Sequence, residues 1–468
     1  MDQTITLPYW LFILLALFTL LLILDRVLFP SVRWYLKRRV NRIIKEVNTR
    51  LDIEIRPFQL TKKQVLVDQL LFDEKVIEAI KDYAQEQDLP LEIAQAKAQS
   101  YANEITPTFN AYVYFRFGYW LAKKVSRLIY RVRVGVYDDD QIKKIEKGST
   151  VVLVMNHRSN MDYVLVSFLI GDKVALSYAV GEWARIWPLQ TLIKSMGAFF
   201  VRRSSRNTLY RRVLERYVNL ATRAGVCQAV FLEGGLTIDG KMREPRLGFM
   251  DYMLREYHPS IDRDIVFIPI GINYDRVLED KSLIRHLDKN AQKRSSWYVL
   301  KTALKFFYKT LTKKRKARWS RFGYAGVNFG KPLSAKHYCE QHQIDFSELE
   351  STERFEQIKQ LADELMQGIE EVVPILPVVL MSEIFLAQDM QWKSELQLKA
   401  SAMQRIKQLK LLGAPIDLSE SAFEQVLSSA LTMLVGRRFV EEKDNLYKLV
   451  KGAETNLKYY ANSISHWQ

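Results

Sequence analysis

Cysteine is almost missing from this chain: Cys227 and Cys339 are the two in 468 residues. That is too few for a disulfide framework or a thiolate zinc site. There is no collagen-like glycine period, no low-complexity tract and no internal repeat, which excludes fibrous and repeat architectures. No recognised nucleic-acid-binding motif occurs either. What is present is charge of one sign and ample apolar material. Lys plus Arg number 69 against 53 Asp plus Glu, a formal net charge of +16, with 48% hydrophobic and 12% aromatic residues. Such a chain is not a disordered tail. It has the length for two or three domains, or for one large catalytic domain with helical additions. Its charge calls for an anionic partner: nucleic acid, membrane phospholipid or a phosphorylated substrate.

From Ile5 to Leu24 no charged residue occurs, and as a helix this run extends across roughly 30 Å of hydrocarbon. Asp2 precedes it, whereas Arg26, Arg33, Lys37, Arg38 and Arg39 follow. A cleaved signal peptide has the opposite order and a small-residue cleavage site. The expectation is therefore a single membrane-spanning helix over 5–28, with the bulk of the chain on the cytoplasmic side. A basic juxtamembrane and helical segment follows over 31–131, where Val65, Leu70, Val76, Ile80 and Tyr83 recur at helical spacing.

At residue 132 the texture changes. VRVGVY, TVVLVMNH, KVALSYAV, GAFFVRR, QAVFLEGG, DIVFIPIGINY and GVNFGKP are short β-branched runs separated by helical patterns, which predicts an α/β domain with a buried sheet over 132–374. Between the last two strands, Trp297, Leu300, Leu304, Phe307 and Leu311 share one helical face, with Lys301, Lys305, Lys309 and Lys313 near the opposite one. Such a helix fits an anionic lipid surface or a core-facing stripe with a solvated basic side. Pro374 and Pro377 mark the start of a C-terminal helical segment, 375–468.

Chemistry concentrates in four places. NHRSNMDY, Asn156 to Tyr163, follows a strand. An aspartate follows a histidine five positions on, so the carboxylate can fix one ring nitrogen and leave the other free as a general base, or the pair can simply brace a loop. Ser159 lies close by, but no G-x-S-x-G elbow surrounds it, and no H-E-x-x-H cluster accompanies His157. GAFFVRR ends in Arg202 and Arg203, FLEGGLTIDGK carries Glu233, Gly234 and Lys241, and DIVFIPIGINYD carries Pro269. In an open α/β sheet the loops at the carboxyl ends of strands gather into one crevice. Paired arginines there bind phosphate or form surface ion pairs. Cys227, within an apolar strand, reads as a small core residue.

The order NHRSNMDY, GAFFVRR, FLEGG…GK, IPIGINY resembles the four ordered blocks of the glycerolipid acyltransferases. Arg158, Ser159, Tyr163 and the paired arginines resemble the branch that acts on glycerol 3-phosphate or dihydroxyacetone phosphate more than the lysophosphatidate branch. The match runs from about Val151 to Asp275, with weaker similarity around FNAYVYFRFGYW and YYANSISH. The resemblance implies a glycerolipid-acyltransferase-like α/β domain with helical extensions at both ends. It implies that His157 deprotonates the acceptor hydroxyl and Asp162 orients it. Arg158, Ser159, Arg202, Arg203, Glu233, Gly234 and Lys241 would serve the acceptor site, and Pro269 would shape a pocket wall. It implies a fatty acyl donor carried on coenzyme A or acyl carrier protein, with no metal and no further cofactor. Membrane phospholipid is an expected partner and nucleic acid is not. The expected setting is a bacterial inner membrane or its equivalent. One departure stands out: the branch reads E-G-G-R-S-R-T-G-K where this chain reads EGGLTIDGK, so Leu236 and Ile238 replace two arginines. Each lost charge-assisted bond costs roughly 1.5–3 kcal/mol, and Lys241 and Arg243 are the nearest compensating cations. The alternatives are an acyltransferase for another acceptor, dihydroxyacetone phosphate or a lysophospholipid, and a catalytically weak scaffold that binds anionic lipid.

Overall fold

The computed structural model describes residues 8–10, 19, 55–135, 142, 144–171, 173–181, 189–202, 205–285, 322–387, 390–416 and 423–467. The chain divides into two compact units, Met1–Glu54 and Ile55–Gln468. The span expected over 5–28 lies outside the described residues except at 8–10 and 19, and the basic amphipathic segment around 297–313 lies wholly outside them. Among the described residues no helix is long and apolar enough to cross a membrane.

After a single helical turn at Pro57–Leu60 come the expected helices: α1 (Lys63–Leu71), α2 (Glu74–Glu86), α3 (Leu91–Ile105) and α4 (Tyr119–Ile129). Asp73 starts α2 by accepting the Lys75 backbone N–H at 3.1 Å, satisfying one of the helix's orphan donors. Leu70, Val76 and Ile80 are buried, but Val65 faces solvent at 53% exposure. The helical spacing there placed one residue on the wrong face.

All seven anticipated strands form. They are β1 (Arg131–Val134), β2 (Thr150–Met155), β3 (Ser177–Gly181), β4 (Phe199–Val201), β5 (Gln228–Phe231), β6 (Ile265–Tyr274) and β7 (Tyr324–Phe329). A two-residue β8 (Leu333–Ser334) joins the edge of β6. The order is β1-β7-β6-β2-β5-β3-β4. From β6 through β4 all neighbours are parallel, whereas β7 runs antiparallel to β6 and β1 runs parallel to β7. Every residue of β2 and β6 is buried, as a central strand covered on both faces requires. Helices α5 (Met161–Ile170), α6 (Thr208–Arg223) and α7 (Gly248–Leu254) follow β2, β4 and β5. Residues of α2, α3, α6 and α7 share one apolar core with β2, β5 and β6 and with α8 (Ser351–Glu370).

The chain crosses Pro374 and Pro377 without leaving this unit. Asp275, after β6, accepts the Val378 N–H at 2.9 Å and the Tyr324 N–H at 2.8 Å, so one buried carboxylate joins the apolar helix α9 (Pro377–Ala387) to the sheet. Burial pushes that carboxyl up to about 6. Helices α10 (Glu395–Leu411), α11 (Phe423–Gly436) and α12 (Glu454–Ala461) follow. The expected all-helical end also contains a small antiparallel sheet of β9 (Lys393–Ser394), β10 (Val440–Lys443) and β11 (Leu446–Leu449).

Candidate active site

Strands β2 and β5 are parallel neighbours, and their last residues, Met155 and Phe231, are paired. The loops that follow therefore leave the sheet side by side. Asn156 makes the exit possible: its side-chain amide donates to Ile272 O at 2.9 Å and accepts from Ile272 N at 2.8 Å. A side chain thus continues the ladder with β6 while the backbone turns away. The loops are then tied together, with His157 N donating to Glu233 Oε1 at 2.7 Å and Thr237 N to His157 O at 3.0 Å.

His157 and Asp162 are both wholly buried, with Nδ1 2.9 Å from Asp162 Oδ2. The same oxygen accepts the backbone N–H groups of Arg158 at 2.8 Å and Ser159 at 3.0 Å. An ionised carboxylate can only accept, so Nδ1 carries the hydrogen and Nε2 keeps its lone pair. Nε2 has no hydrogen-bond partner among the described residues. Asp162 stands in the first turn of α5, where the helix dipole favours a negative charge. The imidazole stacks on Phe231, with ring centroids 3.9 Å apart, and meets the Tyr163 ring edge-on at 5.7 Å. Such an arrangement can serve as an oriented general base, because the nitrogen opposite the carboxylate is left uncommitted.

Phe231 and Tyr163 are also wall residues of a cavity of about 630 Å³, lined further by Arg202, Arg211, Glu233, Gly234, Leu236, Arg243 and Arg246. Four arginines and one buried glutamate are thus among its lining residues, and the net positive charge suits a phosphate-bearing molecule. Glu233 Oε2 accepts the Arg243 N–H at 3.1 Å, and burial pushes its carboxyl up to about 7. Gly234 has φ +66°, and a Cβ there would meet Arg246 Cγ at 2.8 Å, so glycine lets that arginine lie across the turn.

The predicted residues separate into groups. Arg202, Glu233 and Gly234 line the cavity. Arg202 is held by Glu104 of α3, from Nε at 2.8 Å and Nη2 at 2.6 Å, and this bond is the largest of the effects that raise its already high pKa. Arg158 instead extends from Nη1 to Gly240 O at 2.6 Å and lies 4.9 Å over the Tyr459 ring. Ser159 is buried, its hydroxyl donating to Glu279 Oε2 at 2.7 Å. Lys241 is exposed and, like Arg158, Ser159 and Pro269, is not among the cavity-lining residues. Pro269 sits mid-strand in β6 against Gly330 and Gly368. Arg203 lies outside the described residues. Of the two proposed compensating cations, Arg243 reaches the cavity, joined by Arg211 and Arg246, which the motif pattern did not single out. Leu236 is in the wall, as its place in the third block suggests. Cys227 is buried, and burial pushes its thiol up to about 12, in keeping with a core role.

The C-terminal region closes the back of these loops. Asn462 donates to Asp239 O at 2.9 Å. Tyr460 donates to Asp280 Oδ2 at 2.5 Å, an oxygen that also pairs with Arg437. Glu279, next to Asp280, holds the Ser159 hydroxyl and the Asn160 N–H.

Residues 133–273 match the acyltransferase family model, and residues 308–467 match that of the glycerol-3-phosphate acyltransferase C-terminal region. Among curated proteins, the glycerol-3-phosphate acyltransferase of Aeromonas hydrophila is 27% identical over 426 residues, covering 87% of this chain and 50% of that one. Those of Pseudomonas entomophila and Pseudomonas aeruginosa are 28% and 27% identical, covering 87% and 92% of this chain and 49% and 51% of theirs. The chain spans about half the length of the curated relatives it matches. The crystal structure of the 1-acyl-sn-glycerophosphate acyltransferase from Thermotoga maritima aligns at 17% identity over 55% of this chain and 76% of that one, with a TM-score of 0.30, too loose a likeness to bear on the fold.

Proposed function

We propose that the chain is a glycerolipid acyltransferase that transfers a fatty acyl group from a coenzyme A or acyl-carrier-protein thioester to the sn-1 hydroxyl of glycerol 3-phosphate, giving lysophosphatidate. The observation that carries the reading is the uncommitted Nε2 of a buried histidine whose other nitrogen is held by Asp162, next to the wall of an arginine-lined cavity.

The acceptor hydroxyl approaches Nε2 past Phe231 and Tyr163. As its oxygen attacks the thioester carbonyl carbon, Nε2 takes the hydroxyl proton, and Asp162 stabilises the imidazolium. Collapse of the tetrahedral intermediate breaks the C–S bond, and the imidazolium returns the proton to the departing thiolate. No covalent enzyme intermediate forms. Arg243 and Arg246, with Arg202 and Arg211, attract the phosphate and hold the acceptor while this happens. A span over 5–28, in a bacterial inner membrane or its equivalent, keeps the site at the cytoplasmic surface where an amphiphilic donor and product exchange with lipid.

Leu236 in the cavity wall favours a second acceptor class, since an apolar residue where the branch has arginine suits a lysophospholipid or another less charged acceptor better. The deciding experiment supplies long-chain acyl-coenzyme A or acyl carrier protein to detergent-solubilised protein with glycerol 3-phosphate, dihydroxyacetone phosphate or lysophosphatidate, beside His157→Ala. Lysophosphatidate formed from glycerol 3-phosphate and abolished in the variant supports the first reading. Product from another acceptor alone supports the second. No product from any pair, with retained binding to anionic vesicles, overturns both in favour of a lipid-binding scaffold.

A further inference from the structure

We propose that Tyr274 is a positioning residue of the acyl-transfer centre, acting through Asp162 to set the orientation and basicity of His157. The inference rests on the reading of His157 as the general base. Strand β6 runs parallel to β2, but their pairing ends at Met155 and Ile270, so the last four residues of β6 continue beside the loop that leaves β2. Tyr274, the final one, is wholly buried and donates its hydroxyl to Asp162 Oδ1 at 2.7 Å. The other carboxylate oxygen holds His157 Nδ1 and two backbone N–H groups. Bonds on both oxygens fix the carboxylate plane, and only then does Oδ2 stay aimed at the imidazole. The tyrosine ring is itself set against Tyr130, with centroids 5.2 Å apart, and the Tyr130 hydroxyl is committed to Arg276 O at 2.7 Å.

The hydroxyl has an electronic consequence as well. A hydrogen bond donated to a carboxylate stabilises its negative charge and weakens its pull on the neighbouring imidazolium. Removing the Tyr274 hydroxyl should therefore strengthen that pull. Other groups face the pair from the surrounding elements. Glu233 binds His157 N, Glu279 lies across Ser159 and Asn160, Arg158 is directed to Gly240, and Tyr459 lies beneath that arginine. None of these four touches Asp162 Oδ1, whereas Tyr274 does.

The test is a double-mutant cycle of Tyr274→Phe and Asp162→Asn, assayed for acyl transfer with pH–rate profiles, with Tyr130→Phe as a control at equal depth. Tyr274→Phe should lower kcat by ~10- to 100-fold, leave KM for glycerol 3-phosphate within about twofold, and move the acid limb of kcat/KM to higher pH by about half a unit or more. Tyr130→Phe should leave that limb in place. In the Asp162→Asn background, Tyr274→Phe should cost no more than about a further twofold. A full additive loss in that background, or an acid limb that stays where the parent has it, overturns the proposal. If Tyr274→Phe is too unstable to assay alone, the cycle is run with Tyr274→Trp and Tyr274→Leu, and the same additivity criterion applies. Activity that survives His157→Ala overturns the reading of the base itself, and is distinguishable because it is independent of Tyr274.

Discussion

Glu233 carries two backbone hydrogens at once, His157 N–H on one oxygen and Arg243 N–H on the other. Glutamine at this position keeps the shape but offers a single acceptor, so one N–H would face an NH₂ group and lose its partner. A hydrogen bond to a charged group contributes roughly 1.5–3 kcal/mol. If that loss falls on the geometry of the transition state, Glu233→Gln lowers kcat/KM by ~10- to 100-fold. The same substitution has a stability signature with a definite sign. Burial raises the Glu233 pKa from 4.5 to about 7, so the fold favours the protonated form. Its stabilising contribution is fully present below pH 4.5 and is lost as pH rises through 7. At about 1.4 kcal/mol per pH unit over which the folded state alone holds the proton, and with the proton half held on average, the parent loses about 1.4 kcal/mol from this group between pH 6 and 8. Glutamine cannot titrate, so the variant should lose that much less over the same window. Asp275 and Glu279, also raised by burial, are present in both proteins and cancel in the difference. Denaturant unfolding in detergent at pH 6, 7 and 8, beside steady-state acyl transfer, measures both. The reasoning fails if Glu233→Gln keeps parental kcat/KM, or if the two proteins show the same dependence of stability on pH.

Asp162→Asn replaces an acceptor of four hydrogen bonds with a group that cannot accept them all, and kcat should fall by ~10³–10⁴-fold with little change in KM, measured by initial rates. Arg243→Ala should raise KM for glycerol 3-phosphate by about tenfold, since Arg243 lines the cavity, whereas Lys241→Ala should change it less than about twofold; equal effects would show that the cavity is not the acceptor site. Gly240 has φ +93°, and a Cβ there would lie 1.9 Å from Tyr459 O. Gly240→Ala should therefore cost about 2–4 kcal/mol and lower the melting temperature together with activity; a parental melting curve would mean that the close approach to Tyr459 is dispensable.

The main strands were legible as short apolar runs: β2, β6 and β7 are buried along their whole length, whereas β1 at the sheet edge is partly exposed and was marked by its alternating valines. The small sheet was not. Lys393–Ser394 and VEEK carry no apolar alternation, and their sequence signal is the turn: Asp444 and Asn445 both adopt positive φ between paired Lys443 and Leu446, the geometry of a two-residue hairpin. His157 and Asp162 could be read together because they stand only five positions apart, across a loop and a helix start. Tyr274 and Glu279 could not, since each reaches that loop across more than a hundred residues and nothing local distinguishes a tyrosine at a strand end from a core aromatic. Ser159 and Arg158 were assigned to the acceptor by motif alone. The structure directs both away from the cavity, toward Glu279 and Gly240.

The clasp between Tyr460 and Asp280 also bears on how the protein is made. Those residues are 180 positions apart, and at ~5–20 residues per second a ribosome needs about 10–40 s to travel between them. For that interval the loop holding His157 and Arg158 exists without the residues that close its back. A buried guanidinium and a reactive imidazole are then in contact with water and with whatever else the emerging chain meets. On the proposed function, catalytic competence is thus a late event in synthesis, acquired when the C-terminal helices arrive rather than when the sheet is complete.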